Sequence, residues 1–362
     1  EISACLVGSE MCIRDRKKRE VAEAEMDTIA PLIQIQFAKF RENAGGNGFT
    51  IHDQFRGKPV PVPEFKREDK APDDDKSPVG YYAGDIPSFT VTFKALPDSM
   101  KTIKAMCTDG IFASEATELS IANGKAEGVV TAKEAVERKC RGRAENASWS
   151  FSVLGVKLSA KEQMTISKCY VLLDRGNLDK PWKTLLKTAF GKWNFSGATT
   201  HDQLMDRLSR GISNSASYYD EWKPEVGKTG SLYVDQKQNP MPLSVAGMVD
   251  AIDKGTAKII CVEAAGLMEY SASVLGSGGV SSRGVGWTET RKTTNAQGQE
   301  ETKSWRSGHA WCLYGGKVHN PVPYNAGPTN KSESDYIKDD LKSDENRSNF
   351  TEPGGRYFSF NK

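Results

Sequence analysis

Apolar and polar residues alternate over 86–96, over 148–158 and over 163–174, and this period of two predicts three strands. The short polar connection Ala160-Lys161-Glu162 predicts that the last two form a hairpin. A second hairpin is predicted from the runs 284–294 and 301–314, joined by the polar turn 295–299. Shorter β-rich runs lie at 229–235 and 257–264. Helical spacing governs other stretches. Val21, Ile29, Leu32, Ile33, Ile35, Phe37 and Phe40 give residues 17–43 an amphipathic pattern that Pro31 interrupts. A helix over 98–107 is predicted with Asp98 as its cap, and another over 131–143 with Thr131 capping and Glu134 closing a capping box. Trp182, Leu185, Leu186, Phe190 and Trp193 predict a helix over 181–193 with Pro181 in its first turn. Leu204, Leu208, Ile212 and Ala216 predict the longest helix, 199–222, and Ser244, Met248 and Ile252 a shorter one over 243–254.

Prolines at 59, 61, 63, 72 and 78, with Asp73-Asp74-Asp75, mark a linker. From 321 onward Pro, Asn, Ser, Asp and Lys dominate until the aromatic end Tyr357-Phe358-Ser359-Phe360, which predicts an irregular tail whose last residues dock on a neighbour. Helices and hairpins follow one another without a βαβ rhythm. The predicted class is therefore α+β: two antiparallel β-sheets with flanking helices, a long irregular linker and a C-terminal tail. The expected parts are a leader (1–16), an amphipathic helix (17–45), a Pro-rich linker (46–85), an N-terminal α+β domain (86–197), a C-terminal α+β domain (198–320) and the tail (321–362).

The length of 362 residues suits about two domains. Lys and Arg number 49 against 47 Asp and Glu, so a net charge of +2 gives no bulk attraction to nucleic acid or anionic membrane. No run of apolar residues is long enough to span a bilayer. Once Cys5 and Cys12 in the leader are set aside, Cys107, Cys140, Cys169, Cys261 and Cys312 remain. Their number is odd, their spacing wide and no Cys-x-x-Cys pair occurs, which leaves a zinc ribbon or a redox motif unsupported and suggests a reducing compartment. No dinucleotide fingerprint, Walker loop, His-Glu-x-x-His or Gly-x-Ser-x-Gly elbow occurs. Gly276-Ser277-Gly278-Gly279 lacks the Lys-Ser/Thr that would complete a phosphate loop. No cofactor and no metal site is expected. Only His52, His201, His309 and His319 could serve a triad.

Residues 5–16, Cys-Leu-Val-Gly-Ser-Glu-Met-Cys-Ile-Arg-Asp-Arg, resemble the conceptual translation of a transposase adaptor used in sequencing libraries. That likeness implies an artefactual leader on an environmental or transcriptome read-out, with Met26 a candidate start.

Two arrangements compete for the C-terminal half. In the first, helix 199–222 leads into Val226, Thr229, Gly230 and Leu232, and a later run carries Tyr270, Ala272, Val274 and Gly276. Over 199–280 this order resembles the tail-completion proteins of tailed bacteriophages. The resemblance implies a non-enzymatic virion structural or assembly protein, tail-completion or neck-like, forming a homo-oligomer or joining other virion proteins. It would reside in the virion, or in the host cytoplasm during assembly. Its working residues would be turn and interface positions: Thr229, Gly230, Tyr270, Gly276 and Gly278, with Trp287 and Trp305 as interface aromatics. That reading places Cys261 in mid-strand. In the second arrangement the order of Cys261, His309 and then His319 or Asn320 is similar to papain-like peptidoglycan hydrolases. There Cys261 would be a nucleophile at a helix start, His309 its base, and His319 or Asn320 the group that orients the base.

Overall fold

The computed structural model describes residues 33–40, 48–60, 64–67, 78–94, 100–219, 233, 235, 238–322 and 327–361. The linker's acidic triplet, Asp98, Thr229 and Gly230 lie outside them, as does the predicted helix 17–43 up to residue 32. The chain divides into two compact units. The first is 1–49, 60–137 and 143–169; the second is 50–59, 138–142 and 170–362. Strands make up 44% of the structure and helices 22%, so the predicted α+β class is corrected to a mainly β chain.

One nine-stranded sheet lies almost wholly in the first unit. Its strands are β1 (Gln34–Phe40), β2 (Glu64–Lys66), β3 (Val79–Tyr82), β4 (Ser88–Lys94), β5 (Thr102–Cys107), β6 (Thr117–Ala122), β7 (Lys125–Thr131), β8 (Arg141–Val153) and β9 (Val156–Leu172). They run in the order β2-β1-β4-β7-β6-β5-β8-β9-β3. Its core is aromatic: Phe89 and Phe93 of β4 meet the Trp149 ring edge-on at 5.9 and 5.2 Å, and Phe93 meets Phe151 at 5.0 Å.

Two predicted helices dissolve into this sheet. Along β5, Ile103, Ala105 and Cys107 are buried while Thr102 and Lys104 are exposed, a period of two that outweighs the Asp98 cap signal. Residues 132–136 are irregular, because Ala132, Lys133 and Val136 give their backbone N–H groups to Pro87, Ala113 and Asp85 and not to a helix. The β8–β9 hairpin exists, but its turn is Leu154-Gly155, both with positive φ (49° and 83°), and the Ala160-Lys161-Glu162 stretch lies within β9. Residues 34–40 of the predicted amphipathic helix form β1, whose Ala38 and Phe40 are buried.

The second unit carries the helices α1 (Lys183–Gly191), α2 (His201–Ser215), α3 (Val245–Lys254), α4 (Cys261–Val274) and α5 (Glu333–Tyr336). Its strands are β10 (Ser217–Tyr218), β11 (Met241–Ser244), β12 (Lys258–Ile259), β13 (Ser281–Thr294), β14 (Glu300–Tyr314), β15 (Lys317–Asn320), β16 (Gly327–Ser332), β17 (Arg347–Ser348), β18 (Gly354–Gly355) and β19 (Phe358–Asn361). The sheet runs β16-β15-β14-β13-β17, and β18 also pairs with β13. The long hairpin β13–β14 falls where the sequence predicts it. The tail is more ordered than predicted: it supplies β16 to β19, and β19 lies parallel to β11.

The predicted strand 257–264 ends after two residues, and α4 begins at Cys261. Twelve of the fourteen residues of α4 are buried. A helix covered on nearly every side has no polar face, so its sequence carries no helical period and looks like strand. Glu263 starts it: the carboxylate accepts from the Ile260 amide at 2.9 Å and the Tyr233 amide at 2.6 Å. Ile260 has no side-chain acceptor to return the favour, so Glu263 alone fixes where the helix starts. Immediately after α4, Gly276 takes φ of +94°, and a Cβ there would stand 2.1 Å from the Asp174 carbonyl oxygen.

Candidate active site

Helix α4 lies against one face of the β13–β14 hairpin. Ser282 Oγ and Cys312 Sγ each donate to the Ala265 carbonyl at 3.2 Å, and the Ser282 amide donates to Glu269 at 3.1 Å. Successive strand residues point to opposite faces. Cys312 therefore faces α4, as does His319, its partner in register on β15. His319 Nδ1 stands 3.8 Å from Asp206 of α2. His309, Trp311, Val318 and Asn320 belong to the other face. There Val285, Trp287, Trp311, Val318, Tyr336, Ile337 and Leu341 form one apolar cluster.

This alternation separates the two residues expected to orient His309. Asn320 shares a face with His309, and His319 does not. The Asn320 side chain lies close enough to the His309 ring to favour its protonated form. Two further contacts set the amide: the Val322 N–H donates to Oδ1 at 3.3 Å, and Nδ2 donates to the Tyr336 hydroxyl at 3.1 Å. Helix α2 fixes the backbone beneath, where Ser209 and Ser213 donate to the Asn320 and Val322 carbonyls at 3.0 and 2.9 Å. No sequence pattern marks Tyr336, which lies in the segment predicted to be irregular. Its ring stands 5.5 Å from Trp311 and 6.3 Å from His309.

Cys261 is the first residue of α4. Its sulfur lies against the backbone amide of Ala310, the residue after His309. Burial pushes the thiol pKa up by more than the amides of Ala310, Val262 and Cys261 and the charge of Arg356 pull it down, so the net shift is upward. Among the described residues no hydrogen bond joins Cys261 to His309. Hydrogen bonds within catalytic pairs are often long or poorly aligned without substrate and tighten when it binds. A cavity of about 670 Å³ opens beside His309, walled also by Asn320, Trp287, Tyr336, Ser307 and Tyr218; Cys261 is not in its wall. Cys261 itself is 8% exposed, whereas Cys107, Cys140, Cys169 and Cys312 are fully buried.

His309 is half-buried, with Nε2 sealed from solvent. Burial first, and the Arg347 charge second, lower its pKa from 6.5 to about 4. An unfolded chain takes up this proton near pH 6.5 and the folded chain only near pH 4. Stability should therefore fall as pH drops through that window, by roughly 2–3 kcal/mol from His309. His319, also lowered mainly by burial, adds in the same direction. Urea unfolding at pH 7 and pH 4.5 should show a shallower acid loss in His309→Gln; an unchanged acid loss would contradict this origin.

The remaining candidates have other duties. His201 Nε2 meets Asp174 at 2.7 Å, where Arg138 also pairs, and His52 Nδ1 meets the Gly57 carbonyl at 2.8 Å. The Tyr270 ring is buried among Phe55, Trp182 and Phe360, and its hydroxyl donates to Asp179 at 3.2 Å. Tyr270 belongs to α4, so residues 261–274 are helix where the tail-completion resemblance needs sheet. Gly278 lies tight against Asn177, and Trp287 is buried in the apolar cluster. Trp305 is half-buried on β14, opposite Glu289. Among the described residues no cluster of three His, Cys, Asp or Glu side chains could hold a metal ion, and no helix is long and apolar enough to cross a membrane.

No family model matches the chain, and no curated protein matches it. Among solved structures, red sea bream transglutaminase is similar over 71% of this chain, at 10% identity and a TM-score of 0.31. The chain spans about half of that protein, 49% of its length. A likeness that low carries no argument about fold or function.

Proposed function

We propose that the second unit is a cysteine hydrolase of papain-like type, with Cys261 as nucleophile, His309 as base and Asn320 as the group that orients the base. The observation that carries this reading is the place of Cys261: first residue of a buried helix, its sulfur near the backbone amide of Ala310, the residue after His309, with Asn320 on the same face of the sheet as His309. A helix N-terminus supplies partial positive charge and unpaired N–H groups, which favour a thiolate.

His309, neutral down to about pH 4, can take the Cys261 proton throughout the neutral range. The sulfur then attacks a carbonyl carbon, forming a C–S bond, and the N–H groups at the start of α4 face the developing oxyanion. The imidazolium returns the proton to the leaving nitrogen as the C–N bond breaks. Water, deprotonated by the same imidazole, hydrolyses the thioester. The Asn320 side chain favours the imidazolium in both halves of the cycle. The substrate class follows from the papain-like resemblance: peptide bonds of peptidoglycan. Incubating the full chain with purified peptidoglycan and assaying newly released amino groups tests it. Release is the expected result; no release across pH 5–8 would count against that substrate.

A further inference from the structure

Arg356 is a cation near Cys261 that lacks an acidic partner among the described residues. Three other charged groups near it are matched. Arg283 forms two bonds to Glu333 at 2.9 and 3.1 Å, Lys331 pairs with Asp340 at 2.8 Å, and Arg347 with Asp344 at 3.5 Å. Among the described residues no acid pairs with Arg356, and its Nε is sealed from solvent without a hydrogen-bond acceptor. The backbone positions it firmly: the Arg356 amide donates to the Ser282 carbonyl at 2.9 Å, and the preceding glycines of β18 pair with β13. Its guanidinium lies on Gly284, where a Cβ would come within 2.4 Å of Nε and 2.9 Å of Nη2. Only a glycine leaves room for it. Gly284 is the register partner of Ala310, whose amide meets the Cys261 sulfur. Guanidinium, Gly284, Ala310 and thiol thus follow one another across the sheet, and the Arg356 charge is felt at the sulfur.

A buried N–H left without an acceptor is costly, and a planar guanidinium is shaped to receive a carboxylate through two parallel hydrogen bonds. We propose that Arg356 is a specificity residue that binds a carboxylate of the substrate close to the scissile carbonyl, so that the enzyme prefers acidic acyl donors. This rests on the cysteine-hydrolase reading.

Two small alkylating agents separate the two ideas. Iodoacetate and iodoacetamide react alike: sulfur displaces iodide, a C–S bond forms, the C–I bond breaks, and the thiol proton passes to His309 or solvent. They differ in carrying a carboxylate or a carboxamide. The ratio of their rates at Cys261, divided by the same ratio for glutathione, should be at least about tenfold in the full chain at low salt, and should shrink as salt rises. Arg356→Gln should bring it to the glutathione value, and Arg356→Lys should keep part of it. Because the unmodified protein provides the primary ratio, a poorly folding variant does not obscure the result. A wild-type ratio equal to that of glutathione, with brisk iodoacetamide labelling, would overturn the Arg356 assignment and leave the hydrolase reading standing. Failure of both reagents at Cys261 would overturn both.

Discussion

Replacing Cys261 with alanine is expected to lower hydrolysis by roughly 10⁴- to 10⁶-fold, the scale seen when a covalent nucleophile is removed from a site whose remaining groups stay in place. The fold should survive. The change removes one sulfur at a helix start, while the helix is held by Glu263 on the Ile260 and Tyr233 amides and by the bonds from Ser282 and Cys312 to Ala265. Peptidoglycan turnover and thermal unfolding measured on the same preparation separate loss of chemistry from loss of structure. Activity within tenfold of the parent would remove Cys261 from the mechanism.

Trp311→Ala should produce the largest loss of stability in the second unit, about 3–5 kcal/mol. The indole is fully buried and joins the cluster of Val285, Trp287, Val318, Tyr336, Ile337 and Leu341. Its ring also backs His309 at 6.0 Å. For a unit of this size the loss corresponds to a drop in Tm of roughly 10 °C. Trp311→Phe should cost much less, since the indole N–H has no hydrogen-bond partner to lose and the phenyl ring fills most of the space. Thermal unfolding followed by near-ultraviolet circular dichroism checks both. A loss below about 1 kcal/mol for the alanine variant would mean that this face of the sheet is not packed as described.

The sequence was most legible where one face of an element is wet. Helices α1, α2 and α3 and the β13–β14 hairpin each bury one side, so their apolar residues recur with a readable period. It was least legible where burial is complete or where tertiary bonds capture the backbone. Helix α4 buries nearly every side chain, so its first residues, Val262 and Ala264 among them, read as the end of a strand over 257–264. Residues 132–136 look like a capped helix until Pro87, Ala113 and Asp85 claim their amides. The order Cys261, His309, Asn320 was visible, but choosing Asn320 over His319 required the register of β14 against β15, because adjacent residues on a strand face opposite ways. Tyr336 and Arg356 could not be found from the sequence: both lie in a polar tail with no periodicity, and only folding brings them to the hairpin.

The most direct measurement of the central claim is native labelling with iodoacetamide at pH 7, resolved cysteine by cysteine by peptide mapping. All five described cysteines are buried, and Cys261 is the one whose residue keeps any exposure, 8%. The expected result is modification of Cys261, sparing of Cys107, Cys140, Cys169 and Cys312 until the protein unfolds, and a clear slowing of Cys261 in His309→Ala. Labelling of Cys261 no faster than that of the other four cysteines, or at a rate indifferent to His309, would contradict a working thiol–imidazole pair.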